Sequence, residues 1–151
     1  MLRLSKMTDY AVAVLAHLAR GPAVQTAPGI ALATLMPEPT VAKVLKTLAA
    51  SGLVTSLRGA RGGYRLSRPL ADIPVAEVIT AIDGPIALTA CVEGSPTVCE
   101  QQGSCPMSGR WLRVNDAIRE ALSAITLADM LESTPPPAIA APPMMAIEGV
   151  L

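Results

Sequence analysis

Apolar positions recur at three- and four-residue spacing along much of this chain, which is the signature of amphipathic helices. In residues 6–19 (KMTDYAVAVLAHLA) the recurring positions are Val12, Leu15 and Leu18. That spacing predicts a helix with Thr8 as its N-cap and Gly21-Pro22 as its stop. A shorter helix is predicted over 28–35. Met36-Pro37-Glu38-Pro39 is read as a turn, because each Pro removes a backbone donor and biases the residue before it away from helix. Residues 40–50 predict a third helix with an apolar stripe of Val41, Val44, Leu45 and Leu48. Lys43, Lys46 and Thr47 fall on its other side, and Gly52 follows as a terminator. The period then changes. Residues 53–57 form a short apolar and β-branched run, 58–63 read RGARGG, and 64–67 read YRLS, so the stretch predicts a β-hairpin with a glycine-rich turn.

Residues 72–82 (DIPVAEVITAI) predict a fourth helix with Pro74 at a tolerated early position. After a loop, residues 107–132 form the longest uninterrupted helical pattern, with Trp111, Val114, Ile118, Leu122 and Ile125 on one seam suited to a helix of a second subunit. Residues 133–151 hold five Pro and little charge and are expected to be disordered. The fold class is therefore mainly α, a winged helix-turn-helix with a small β-hairpin wing and a long C-terminal dimerisation helix. The expected division is a DNA-binding region at 1–70, a connecting helix and cysteine loop at 71–106, the dimerisation helix at 107–132 and the tail at 133–151.

Composition narrows the core. Hydrophobic residues make up 51% of the 151-residue chain, yet aromatics only 2%, with no Phe, so Ala, Leu, Val, Ile and Met must fill the interior. The net charge is zero, but its distribution is lopsided. Residues 1–70 carry nine Lys and Arg against two acids, a balance of +7; residues 71–151 carry three Arg against ten acids, a balance of −7. A basic first half suggests a polyanion partner. The apolar stretch Tyr10–Leu18 is too short to span a bilayer and contains His17, so no membrane partner is expected and a cytoplasmic location is.

The order helix, short helix, turn, helix, basic hairpin suits DNA. A helix fits the major groove, and the second helix of the pair reads it. Pro39, Thr40 and Lys43 would face the groove, Lys46 would lie near phosphate, and Arg58 and Arg61 would carry the charge of the hairpin tip. Against this stands the plainer reading that Lys43 and Lys46 occupy the solvated face of an ordinary amphipathic helix. RGARGG is neither GxGxxG nor a loop ending in GK[ST], which argues against nucleotide binding.

The second constellation is the cysteines. Cys91, Cys99 and Cys105 are the only three, spaced C-x7-C-x5-C in a stretch broken by Gly and Pro. A reduced compartment favours ligands or reactive thiols over disulfides, and an odd number leaves one unpaired in any intrachain scheme. Zinc would require a fourth Cys or His nearby, and the only histidine, His17, lies on the first helix, where a structural role is the simpler reading. Iron–sulfur clusters, [2Fe-2S] or [4Fe-4S], accept such a trio with one further ligand. Three free thiols are the rival. An enzyme with a Cys nucleophile finds no support, since there is no CxxC and no histidine base near the trio. No catalytic residue and no small-molecule substrate are expected.

The segments RLSKMTDYAV, PEPTVAKVLKTLAASGLV, RGARGGYRLSRP and IPVAEVITAIDGP, followed by the three cysteines, resemble the winged-helix iron–sulfur regulators that include IscR, NsrR and RirA, and among them the regulators of SUF-system cluster assembly. The resemblance covers about residues 1–130. It implies a homodimer on a palindromic double-stranded operator, Tyr64 of the wing among the DNA-facing residues, and a cluster held by Cys91, Cys99 and Cys105. Some members complete the coordination with a His three residues after the last Cys; Ser108 stands there in this chain. Nitric-oxide-sensing members use an Asp near the N-terminus of the other subunit, and Asp9 matches it. Asp9 equally suits the first turn of its helix, where an acid favours the dipole. The implied output is repression of iron–sulfur assembly or iron-homeostasis genes. The alternatives are a nitric oxide or redox sensor with the same cluster, and a cluster-free DNA-binding dimer.

Overall fold

The computed structural model describes residues 3–132, so the expected disordered tail at 133–151 lies outside the described residues. Helix α1 spans Lys6–Arg20, α2 Ala27–Thr34 and α3 Glu38–Ala50. Strands β1 (Val54–Leu57) and β2 (Gly63–Leu66) form the hairpin, and α4 (Val75–Asp83), α5 (Leu112–Ala124) and α6 (Leu127–Leu131) complete the chain. The architecture is mainly helical with a two-stranded antiparallel wing, as the periodicity predicted.

Each boundary has a local cause. The Ser5 hydroxyl accepts from the Thr8 N–H and caps α1, and Gly21 closes it by donating to the His17 carbonyl. Thr8 is therefore not the cap expected; it sits one turn inside the helix and is 2% exposed. Thr26 caps α2 by accepting from Gly29 N–H. The next turn is made by Leu35 in the left-handed region, φ 56° and ψ 28°, which reverses the chain toward α3. Along α3 the fully buried residues are Val41, Val44, Leu45 and Leu48, the stripe predicted from spacing.

In the wing, Val54 pairs with Leu66 and Leu57 with Gly63. Gln25 adds a short third edge through an isolated bridge to Tyr64, with N···O distances of 2.9 and 2.7 Å. Gly63 is required there: its φ is +154°, and a Cβ would lie 2.5 Å from the Gln25 carbonyl oxygen.

Three predicted helices change their limits. The third starts at Glu38, not at residue 40, because Pro39 falls in the first helical turn, where its missing N–H has no intrahelical partner to lose, so Glu38-Pro39 belong to α3 and not to the turn. The fourth starts at Val75, not 72, because Leu70–Asp72 forms a separate 3-10 turn and Pro74 caps α4 in extended conformation. The predicted 107–132 helix starts at Leu112 and is broken at Ile125–Thr126. The Ile125 carbonyl accepts from Val75 N–H, and Leu127 N–H donates to the Ile73 carbonyl, both at 2.9 Å. This two-stranded contact pulls Leu127, 1% exposed, into the core, and a Thr126–Asp129 capping box restarts the helix as α6. A single core cluster runs from Ala11 of α1 through α2, α3, β1 and α4 to Leu127.

Candidate nucleic-acid interface and cysteine loop

The buried stripe of α3 forces Lys43 and Lys46 outward, and both are exposed. Pro39 is also exposed at the helix start, Thr40 is half-buried, and the Thr47 hydroxyl turns back to the Lys43 carbonyl. Glu38, not singled out from the sequence, is exposed in the same first turn. The wing carries exposed Arg58 and Arg61 at its tip. Gly62 closes that tip by donating to the Gly59 carbonyl at 2.9 Å. A Cβ at Gly62 would lie 2.4 Å from the Leu57 carbonyl oxygen. Arg65 on β2 is a further exposed cation of the wing, with no signal in the sequence that separates it from other surface arginines. Tyr64 differs from the arginines: it is half-buried and packs on the core. Arg68, at the base of the wing, pairs with Glu77 of α4 and ties the wing to that helix.

The cysteine loop runs between α4 and α5 as a series of turns. Cys91, Cys99 and Cys105 are all half-exposed and none is in a disulfide. The Cys91 sulfur lies 3.2 Å from the Thr89 hydroxyl. Ser108 is half-buried, and its N–H donates to the Cys105 carbonyl at 3.0 Å. In type and number the three thiols suit a soft metal centre. In position they are not assembled: among the described residues no three His, Cys, Asp or Glu side chains are grouped closely enough to hold a metal ion. Asp9 is exposed in the first turn of α1 and lines a cleft with Arg3, Lys6, Thr8, Val75 and Met130, a set without cysteine.

Two polar residues that the sequence did not mark fasten this region. Asp83 ends α4, and its Oδ2 accepts from Ser5 N–H at 3.1 Å and from the Thr8 hydroxyl at 2.8 Å. Partial burial pushes its pKa up, but the hydrogen bonds from Ser5 and Thr8 outweigh this and hold it below the usual carboxylate value. Asn115 of α5, fully buried, holds the backbone of residues 86–88. Neither role has a sequence signal, because the partners lie 27 to 78 residues away and several are backbone groups.

A short helix, a tight turn and a lysine-faced helix, with an arginine-tipped hairpin behind them, define a winged helix-turn-helix DNA-binding regulator. The chain belongs to the Rrf2 family, whose sequence profile, described as an iron-dependent transcriptional regulator, matches residues 4–133. It is 37% identical to a helix-turn-helix transcriptional regulator of Azotobacter vinelandii designated ORF2, over 86% of this chain and 79% of that one. The structure of CymR, the global cysteine regulator of B. subtilis, is similar at a TM-score of 0.67 and 29% identity, covering 89% of this chain and 100% of the other. IscR of T. potens is similar at a TM-score of 0.59 and 33% identity, covering 86% of each chain. The chain is a helix-turn-helix transcriptional regulator of this family. Among the described residues no helix is long and apolar enough to cross a membrane.

Proposed function

We propose that this regulator binds a palindromic operator as a homodimer and that its operator affinity is set by an iron–sulfur cluster at Cys91, Cys99 and Cys105, with genes of cluster assembly or iron homeostasis as its targets. Pro39, Thr40 and Lys43 meet base edges in the major groove, Lys46 meets phosphate, and Arg58, Arg61 and Tyr64 form the wing contact. The observation that carries the reading is a trio of free, half-exposed thiols in one loop, between the connecting helix α4 and α5, in a family described as iron-dependent. A bound cluster would supply a redox- and iron-sensitive centre. The chain's own part is to bring the thiols together, which requires the loop to rearrange, since they are not grouped as it stands. Asp9 of the partner subunit is the proposed fourth ligand. That rearrangement is the source of the switch, and a coupling of about 1–3 kcal/mol is enough for a 5–150-fold change in operator affinity.

Non-grouping of the thiols favours a second reading, a cluster-free regulator in which the cysteines respond as thiols. One experiment separates them. Anaerobically purified protein is analysed for iron and sulfide and titrated with operator before and after cluster removal, beside a triple Cys→Ser variant. The cluster reading expects bound iron and sulfide and an affinity that moves on removal. Iron-free protein whose affinity still responds to thiol oxidation selects the second reading. Equal affinity of the wild type in every state and of the triple variant eliminates both.

A further inference from the structure

Asn115 is the only fully buried side chain of α5, and it is an amide rather than a hydrocarbon. Burying an amide is unfavourable unless its donor and acceptor are both used. Here both are: Oδ1 accepts from Leu88 N–H at 2.9 Å, and Nδ2 donates to the Ile86 carbonyl at 3.1 Å. The carboxamide thus grips one short piece of backbone as a neighbouring strand would, just three residues before Cys91. The rest of α5 is held less tightly, with Ile118 and Leu122 half-buried and its remaining side chains exposed. The same backbone piece is gripped at its other end. Asp83 accepts from Ser5 and Thr8 at the N-terminus of α1, and α1 packs on the reading helix α3. Residues 83–88 are therefore a six-residue span, containing Gly84 and Pro85, pinned to α5 at one end and to α1 at the other.

We infer that residues 83–88 are the strut through which the cysteine loop acts on the DNA-binding unit, with Asn115 as the positioning residue at the loop end and Asp83 at the α1 end. The inference rests on the reading of the loop as the sensing element. It adds the route by which that element reaches α3. A pulled or released Cys91 stem shifts residues 86–88, Asn115 makes α5 follow, and Asp83 carries the shift to α1. Hydrophobic contacts alone would let α5 slide over the span, whereas the paired hydrogen bonds of Asn115 fix one register.

The test uses the full chain and a chemical probe of the loop. Operator Kd is measured for reduced protein and for protein alkylated with iodoacetamide at all three thiols, and the ratio of the two is the response. Wild type is expected to respond by at least about fivefold, the lower end of typical couplings. Asn115→Ala should bind operator normally when reduced and lose the response. Asn115→Asp, which keeps the acceptor for Leu88 and loses the donor to Ile86, should retain part of it. Asp83→Ala, which leaves α5 untouched, should also lose it; a merely local packing role for Asn115 would not produce that result. Circular dichroism checks folding, and if Asn115→Ala does not fold, Asn115→Asp and Asp83→Ala carry the test. A responding wild type with equally responsive variants overturns the strut alone. A wild type that does not respond overturns the sensing role of the loop and the strut with it.

Discussion

At the scale of single residues, the least comfortable position is Leu35. It is the only non-glycine residue with positive φ among the described residues, and it is 90% exposed, so no burial offsets its conformation. A left-handed L-residue costs about 1–2 kcal/mol, and glycine at this cap position avoids that. Leu35→Gly is therefore expected to stabilise the protein by about 1 kcal/mol after the added chain entropy of glycine, read as a higher urea midpoint at unchanged m. A lower midpoint would show that the leucine side chain contributes more than its exposure suggests. The sequence marks a turn here through Met36-Pro37, but not which residue takes the left-handed conformation. Nothing about leucine asks for it; the demand comes from where α3 must start to bury Val41 and Val44.

At the scale of elements, the join between α1 and α4 is polar and pH-dependent. The Asp83 carboxylate receives Ser5 N–H and the Thr8 hydroxyl. Its pKa is lowered in the folded protein, so the unfolded chain takes up the proton first as pH falls. The contribution is complete above the unfolded carboxylate pKa of about 4 and is lost as pH drops through the lowered folded value. Thr8→Val should cost about 1 kcal/mol at pH 7, near the typical hydrogen-bond contribution because Asp83 is largely solvated. The gap between variant and wild type should shrink toward pH 3. Urea midpoints at both pH values check it, and an equal gap at both would show that the Thr8 contact does not depend on the charge of Asp83. The same scale explains the main departure from the periodic pattern. Residues 107–132 read as one helix because Val114, Ile118, Leu122 and Ile125 keep helical spacing, yet the backbone of Ile73 and Val75 captures Ile125 and Leu127 and interrupts it. A pairing between segments some fifty residues apart has no local trace.

At the scale of the whole molecule, α5 and the residues at its ends present an exposed apolar face among the described residues. Trp111 is 41% exposed, Leu112 39%, Val114 44% and Ile125 46%. Under the homodimer proposed above, this face is the subunit contact and Trp111 its anchor, since large buried aromatics dominate such interfaces. Trp111→Glu with Val114→Glu should weaken self-association at least about 30-fold, the effect of losing a typical hot spot, and abolish binding to a two-half-site operator. Sedimentation velocity reads the first and operator titration the second. A variant that remains dimeric would place the contact elsewhere.

The sequence alone determined what depends on near neighbours and on residue chemistry. Helical spacing placed α1 and α3 to within a residue or two, glycines and β-branched residues located the wing, and charge counting assigned the first half to a polyanion. These signals are local because turns, caps and amphipathic faces are set by residues a few positions apart. Only the tertiary structure decided that Ser5 rather than Thr8 caps α1, that the last helix breaks at Ile125, that Tyr64 packs inward while Arg58 and Arg61 are exposed, and that among the described residues the three thiols do not form a group able to hold a metal ion. It also decided that Asp83 and Asn115 hold the two ends of one span. Each of these turns on which backbone groups and side chains meet across long stretches of chain, and that is set by how the whole core closes.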